Sequence, residues 1–221
     1  MRWNLSQKVG SFCYRNRLAI AVQTIDKSVI SRIYGNGRGW VFSPNHFLDL
    51  GSRSAVGVVL HRLAKSGTIR RLTRGLYDYP KQHPTFGVLA PDPDAVAKAL
   101  AGKHAVRIQP SGAYAANLLG LSEQVPAKIV FLTDGPARRV KVGTQEISLK
   151  RTSPRNMATA GRVSGLIIQA LRYLGRPRVD DKTLRRLKQK LSAKDAQSLL
   201  KDVAYAPAWI GDILRQLASG N

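Results

Sequence analysis

Residues 39–79, GWVFSPNHFLDLGSRSAVGVVLHRLAKSGTIRRLTRGLYDY, decide the fold of this chain. Pro44 fixes φ at a helix start, and His46–Leu50 predict one short helix that Gly51 ends. Ser52 is placed to accept from the free backbone N–H groups of the next helix. That second helix carries Ala55, Val56, Val59, Leu60 and Leu63 on one face, and Gly67 stops it. Ile69 and Leu72, a Thr73-Arg74-Gly75 turn, then Leu76, Tyr77 and Tyr79 predict a β-hairpin. Upstream, Lys27–Tyr34 puts Val29, Ile30, Ile33 and Tyr34 on one face of a first helix, with Ile20, Val22 and Ile25 expected to pack on the same core. The sum predicts a winged helix-turn-helix domain over residues 1–83.

Such a domain suits DNA for reasons of shape and charge. A helix fits the major groove and offers its exposed face and first turn to base edges. The side chains so offered are Ser52, Arg53, Ser54, Gly57, His61 and Arg62, with Lys65 nearer a phosphate. Arg70, Arg71 and Arg74 are expected to point outward near the hairpin tip, where they would reach backbone phosphates or a narrow minor groove. Tyr77 and Tyr79 share one strand face and are expected to pack under the wing, as is the Trp40–Phe42 pair.

Composition supports a polyanionic partner. In 221 residues there are 36 Lys+Arg against 13 Asp+Glu, a net charge of +23, while 43% hydrophobic content is that of a globular chain. Nucleic acid is the first partner this implies, a membrane surface is weaker for want of a long apolar run, and an acidic protein is compatible with the first. Cys13, the single cysteine, excludes an internal disulfide, and His46, His61, His83 and His104 have no metal-ligand spacing. No cofactor is expected. With no leader in MRWNLSQKV, a reducing cytoplasm is the expected compartment. Gly35, Gly37 and Gly39 read as a turn, since neither a preceding strand nor a Lys-Ser pair accompanies them.

Four prolines in Pro80–Pro93 predict the domain boundary, leaving 84–221 as a second domain. It reads as mixed α/β with a helical C-terminal part, so the whole chain is α+β. Helices are expected over Ala95–Ala101 and Gly112–Leu119, the latter capped by Ser111, and strands over Ala105–Gln109 and Lys128–Leu132. Arg138–Val142 and Glu146–Arg151 alternate like paired strands joined at Gly143-Thr144. Arg162–Leu174, a helix starting near Val179-Asp180, Ala193–Ala204 and Pro207–Leu217 complete the chain. Two further basic groups emerge, each readable as a partner surface or as solvated charge. One is Arg138, Arg139 and Lys141, with Lys150 and Arg151 on the adjoining strand; the other is Lys182, Arg185, Arg186, Lys188 and Lys190 on one helix.

Catalysis finds little support. Asp134, Glu146 and Lys150 hint at a metal-dependent nuclease, but the tight acidic-x-Lys spacing of such sites is absent. No Ser/His/Asp or Cys/His set converges, so no catalytic or metal-ligating residue is assigned.

The succession RGLYDYP (74–80), GVLAPDPDAVAKALAG (87–102), IQPSGAYAANLLGLSEQVP (108–126) and KIVFLTDGPARRVKVGTQEISLKRTSP (128–154) resembles the AbiEi family of antitoxins. The likeness runs from about Lys27 to about Leu174, and Arg74–Tyr77 and Pro110–Asn117 are its most specific parts. The resemblance implies a bacterial type IV antitoxin that counteracts a nucleotidyltransferase toxin and represses its own operon by binding promoter repeats. It implies that Arg53, Arg62, Arg70, Arg71 and Arg74 contact operator DNA and that the C-terminal domain neutralises the toxin. The alternative is a winged-helix regulator with no toxin partner.

Overall fold

The computed structural model describes residues 25–102 and 106–219. Cys13, Ile20, Val22, His104 and Ala105, on which expectations were placed above, lie outside the described residues. The chain divides into two compact units that meet at Ala95–Val96. Proline content had suggested a boundary at 83/84. The hairpin that follows is held by the first unit, because Leu89 donates its N–H to the Lys81 carbonyl and its own carbonyl accepts from Arg70.

The first unit opens with α1 (25–36), then β1 (Val41–Phe42), a 3-10 helix (Pro44–Phe47) and α2 (Arg53–Lys65). β2 (Arg70–Thr73) and β3 (Leu76–Asp78) form a hairpin, and β1 joins it to give a sheet in the order β1-β3-β2. A second, smaller hairpin follows in β4 (Gln82–His83) and β5 (Gly87–Val88). Helical spacing delivers Val29 and Ile33 from α1 and Val56, Val59 and Leu60 from α2 to one core with Phe42, Phe47 and Ile69. Burying such side chains stabilises by roughly 2 kcal/mol each. Trp40, Phe42 and Phe47 meet ring to ring at 4.6–5.7 Å, and Tyr77 lies beside Phe42 at 6.2 Å. The short helix starts at Pro44, as expected, and ends at Phe47 rather than Leu50. Proline occupies its first turn, and the Ser43 N–H donates to His46 Nδ1 at 3.1 Å, fixing the entry there.

α3 (Pro93–Ala101) carries the chain into the second unit. There β6 (Ile108–Ser111), α4 (Gly112–Leu118), β7 (Lys128–Thr133), β8 (Arg138–Val142) and β9 (Gln145–Arg151) build a four-stranded mixed sheet. Its order is β6-β7-β9-β8, with β7 and β9 parallel and both edges antiparallel. α5 (Pro154–Met157), α6 (Val163–Leu174), α7 (Asp181–Gln189), α8 (Ala193–Asp202) and α9 (Ala208–Ala218) follow. Ile167, Ile168 and Leu171 of α6 pack with Leu187, Leu199, Ile210 and Leu214 into one helical core. The fold is thus mixed α+β with a helical C-terminal part.

Two expectations shift here. The first strand is Ile108–Ser111, because its pairing with β7 runs from Ile108 opposite Thr133 to Ser111 opposite Val130. Ser111 both ends that strand and stands at the N-cap of α4, as expected, but makes no capping bond; its hydroxyl donates instead to Gln169 of α6 at 3.3 Å. Where α6 starts, a Cβ on Gly165 would run into the Thr159 carbonyl and stand 2.9 Å from Gln109 Oε1, so only glycine admits that approach. Asp202, fully buried, accepts from the Ser164 hydroxyl and pairs with Arg162 at 2.8 Å, tying the start of α6 to the end of α8.

Candidate nucleic-acid interface

α2 begins where Ser52, in extended backbone, accepts from the Ala55 N–H at 3.3 Å. With Val56, Val59 and Leu60 buried, the opposite stripe is fixed by the helical period: Arg53, Ser54, Val58, His61, Arg62 and Lys65 are exposed, and Gly57 lies half-buried among them. Sequence reading missed Val58. It is apolar but 54% exposed, and a thymine methyl is the contact that a lone valine on a polar helix face can make. The signal was available, since position 58 falls off the 56–59–60–63 stripe. Gly57 costs an interior helix turn about 1 kcal/mol relative to alanine. A Cβ there would touch nothing within 4 Å, so packing inside the fold does not require the glycine.

Charge is sorted within this unit. Between residues 25 and 91 the chain has ten lysines and arginines and three acids, Asp26, Asp49 and Asp78. Each acid takes an arginine: Arg62 with Asp26, Arg32 with Asp49 and Arg70 with Asp78, all at 2.6 Å. Asp49 binds Arg32 through both oxygens, which holds the guanidinium pKa above its ordinary value. Lys27, Arg38, Arg53, Lys65, Arg71, Arg74 and Lys81 remain with no carboxylate partner among the described residues, and all seven are exposed.

That sorting corrects the place of Arg70. Its strand position opposes Asp78 across the hairpin, and it donates to both carboxylate oxygens, at 3.1 and 2.6 Å, and to the Leu89 carbonyl at 3.0 Å. Asp78 is 1% exposed, and a buried carboxylate requires a partner, so Arg70 is held at the base of the β2–β3 hairpin rather than pointing out from its tip. Arg62 is intermediate, half-exposed but with its guanidinium on Asp26.

The tip itself carries the free charge. The register shifts between Arg71 and Thr73, a bulge that twists the strand, and Gly75 turns with φ +74°, a conformation that favours glycine. Arg71 and Arg74 are exposed there. Beneath them Tyr79 packs 5.4 Å from Tyr34, and the Arg38 guanidinium lies 4.6 Å over its ring. α2 and the β2–β3 hairpin pack on one core, so Arg53, His61, Lys65, Arg71 and Arg74 are carried by elements of the same compact unit.

The second unit's basic groups are of another kind. β8 is a sheet edge, where charged side chains discourage pairing with other chains. Arg138 donates to the Leu100 carbonyl at 2.8 Å, Arg139 lies 3.6 Å from Glu146, and Lys141 is exposed opposite Glu146. On α7, capped by Asp180, Arg186 donates to the Gly120 carbonyl, while Lys182, Arg185 and Lys190 are exposed and Lys188 is half-buried. No hydrogen bond or ion pair among the described residues joins the β8 group to the α7 group. Asp134 and Glu146 are not brought together either. Glu146 pairs with Lys128 at the start of β7, whereas Asp134 follows its last residue and is bound by Arg107 at 2.8 Å. Along a strand that is about 20 Å.

Comparison with known proteins adds a family. The model described as "Family of unknown function (DUF6088)" matches residues 28–199. No curated protein matches the chain. Among solved structures, that of the RV2827C protein from Mycobacterium tuberculosis aligns over 90% of this chain and 72% of that one, at 18% identity and a TM-score of 0.41.

Proposed function

The chain belongs to the DUF6088 family, whose function is unknown, and we propose that it is a winged helix-turn-helix DNA-binding protein that represses its own operon as an antitoxin. One observation carries the DNA half: within residues 25–91 every acid is neutralised by an arginine, and the unpartnered cations include Arg53 and Lys65 on the exposed face of α2 and Arg71 and Arg74 on the hairpin tip. α2 would enter the major groove with Arg53, Ser54, Val58 and His61 toward base edges. Arg71, Arg74 and Lys65 would hold phosphates and set the register.

The antitoxin half is supported by the sequence resemblance to AbiEi antitoxins, and it makes a nucleotidyltransferase toxin the partner of the second unit. A regulator without a toxin is the second reading, favoured by the fact that the geometric support lies in the first unit alone. Salt-titrated binding to the DNA upstream of the gene, beside a scrambled duplex, tests repression; rescue of growth from a co-expressed neighbouring nucleotidyltransferase tests the antitoxin. Equal binding to both duplexes defeats sequence-directed repression, and failure of rescue leaves only the regulator.

A further inference from the structure

Beyond the wing lies a second hairpin that the DNA reading above does not use. β4 and β5 pair Gln82 with Val88 and His83 with Gly87, leaving Pro84, Thr85 and Phe86 as the turn. Phe86 is 76% exposed and Val88 53% exposed. The exposed ring is held in place by its neighbours in the turn. His83 Nδ1 accepts the N–H groups of Thr85 and Phe86 at 3.2 and 3.3 Å, and the two rings stand 4.8 Å apart. The base of the hairpin is fixed to the unit at both ends: Arg38 donates to the Pro80 carbonyl at 3.0 Å and Arg70 to the Leu89 carbonyl at 3.0 Å. Arg38, Gln82, His83, Pro84, Gly87 and Val88 line an open cleft of about 610 Å³ beside it.

The occupant follows from the charge. No acid occurs between Asp78, which is buried and paired, and Asp92, whereas the hairpin's root carries Lys81 and Arg38, neither with a carboxylate partner among the described residues, Arg38 being bonded to the Pro80 carbonyl and set over Tyr79. An exposed aromatic at the tip of a hairpin whose root carries cations and no acid suits a planar, apolar group tethered to an anion, and that is a nucleobase on its phosphate. We propose that the 80–89 hairpin is a single-strand contact in which Phe86 stacks on an unpaired base while Lys81 and Arg38 hold the adjoining phosphates. The inference rests on the reading of this unit as a nucleic-acid binder, and gives it a second, unpaired class of substrate.

The test uses the full chain, a fluorescent oligothymidine of about a dozen nucleotides and the upstream duplex of the preceding test. Phe86→Ala weakens the strand about tenfold to a hundredfold with its salt dependence unchanged, because stacking releases no counterion. Phe86→Trp binds as tightly as the parent or tighter, and both variants bind the duplex as the parent does. Lys81→Gln instead flattens the salt dependence on the strand, by about 0.7 in the log–log slope. Equal strand binding by Phe86→Ala and the parent overturns the proposal, as does weakening by Phe86→Trp to the level of alanine. Absence of strand binding by the parent overturns it too, and retained duplex preference then shows that the DNA reading survives; loss of both defeats the two together. Because Phe86 is exposed, unchanged thermal melting of Phe86→Ala excludes misfolding as the cause of a loss.

Discussion

Three arginines on one hairpin should give two different phenotypes. Arg71 and Arg74 have no carboxylate partner, whereas Arg70 neutralises Asp78, which is 1% exposed. A phosphate contact contributes about 0.9 to the slope of log affinity against log salt, so Arg71→Ala/Arg74→Ala should lower that slope by about 1.8. Between about 50 and about 200 mM salt, the parent's advantage over the double variant then shrinks about twelvefold. The loss falls on operator and scrambled duplex alike, since backbone contacts read no sequence. Arg70→Ala does something else. It leaves a buried carboxylate without its charge partner, which costs about 3 kcal/mol or more. In a unit of this size that lowers the unfolding midpoint by on the order of 10 °C, with the salt slope of the still-folded protein unchanged. Fluorescence anisotropy over a salt series, beside thermal melts of each variant, separates the two. A double variant with the parental slope, or an Arg70→Ala that flattens the slope without losing melting temperature, refutes the charge assignment.

Arg53→Ala should weaken operator DNA by about 1–3 kcal/mol and leave scrambled DNA nearly unaffected, measured by competition; Arg62→Ala is the less clean probe because it also strands Asp26. Gly57→Ala should raise thermal stability by about 0.5–1 kcal/mol, because the helix gains and nothing is struck, yet reduce operator affinity if DNA approaches that face closely. An alanine that stabilises without any loss of binding removes Gly57 from the interface. Gly165→Ala should instead destabilise by about 1–3 kcal/mol in denaturant melts, since its Cβ meets the Thr159 backbone. Hydrogen bonds from Arg107, Thr183 and Ser192 hold the Asp134, Asp180 and Asp195 carboxyls below the usual carboxylate range. Their stabilisation is present above the unfolded-state pKa of about 3.9 and is lost as pH falls through the lower folded values. Helical circular dichroism should therefore hold from about pH 7 to about pH 5 and decay only below about pH 4.

Much of this fold was legible because its signals are local. The Ser52 cap, the 56–59–60 stripe and the Gly75 turn each depend on neighbours within a few residues, as do the β8–β9 hairpin and the helices of the C-terminal part. What was not legible depends on pairing at a distance. Ser111 looks like a helix cap in Pro-Ser-Gly, and only its register with Val130 makes it the last residue of a strand. Arg70 looks like its neighbours Arg71 and Arg74, and only the hairpin register sets it across from Asp78. Even so, an acid alternating with Tyr77 and Tyr79 must point to the opposite strand face, where it would need a cation. Val58 went unread because attention rested on charge.

The net charge of +23 favours attraction to polyanions, but it does not say which surface offers the free cations. Place is decided by where the few acids stand. Between residues 25 and 91 they sit at the roots of the elements, on Arg32, Arg62 and Arg70, and their effect is to brace α1, α2 and the hairpin. Of the cations left over, Arg53 and Lys65 fall on the α2 face, Arg71 and Arg74 near the β2–β3 turn and Lys81 on the 80–89 hairpin, while Lys27 lies on α1 and Arg38 over Tyr79. In the second unit several cations have duties within the fold: Arg138 and Arg186 satisfy backbone carbonyls, Arg139 answers Glu146, and the β8 charges guard a sheet edge, while Lys182, Arg185 and Lys190 stay exposed. Equal basicity therefore does not mean equal function. What separates the two units is where their carboxylates and carbonyls stand against the cations, not the total of charge.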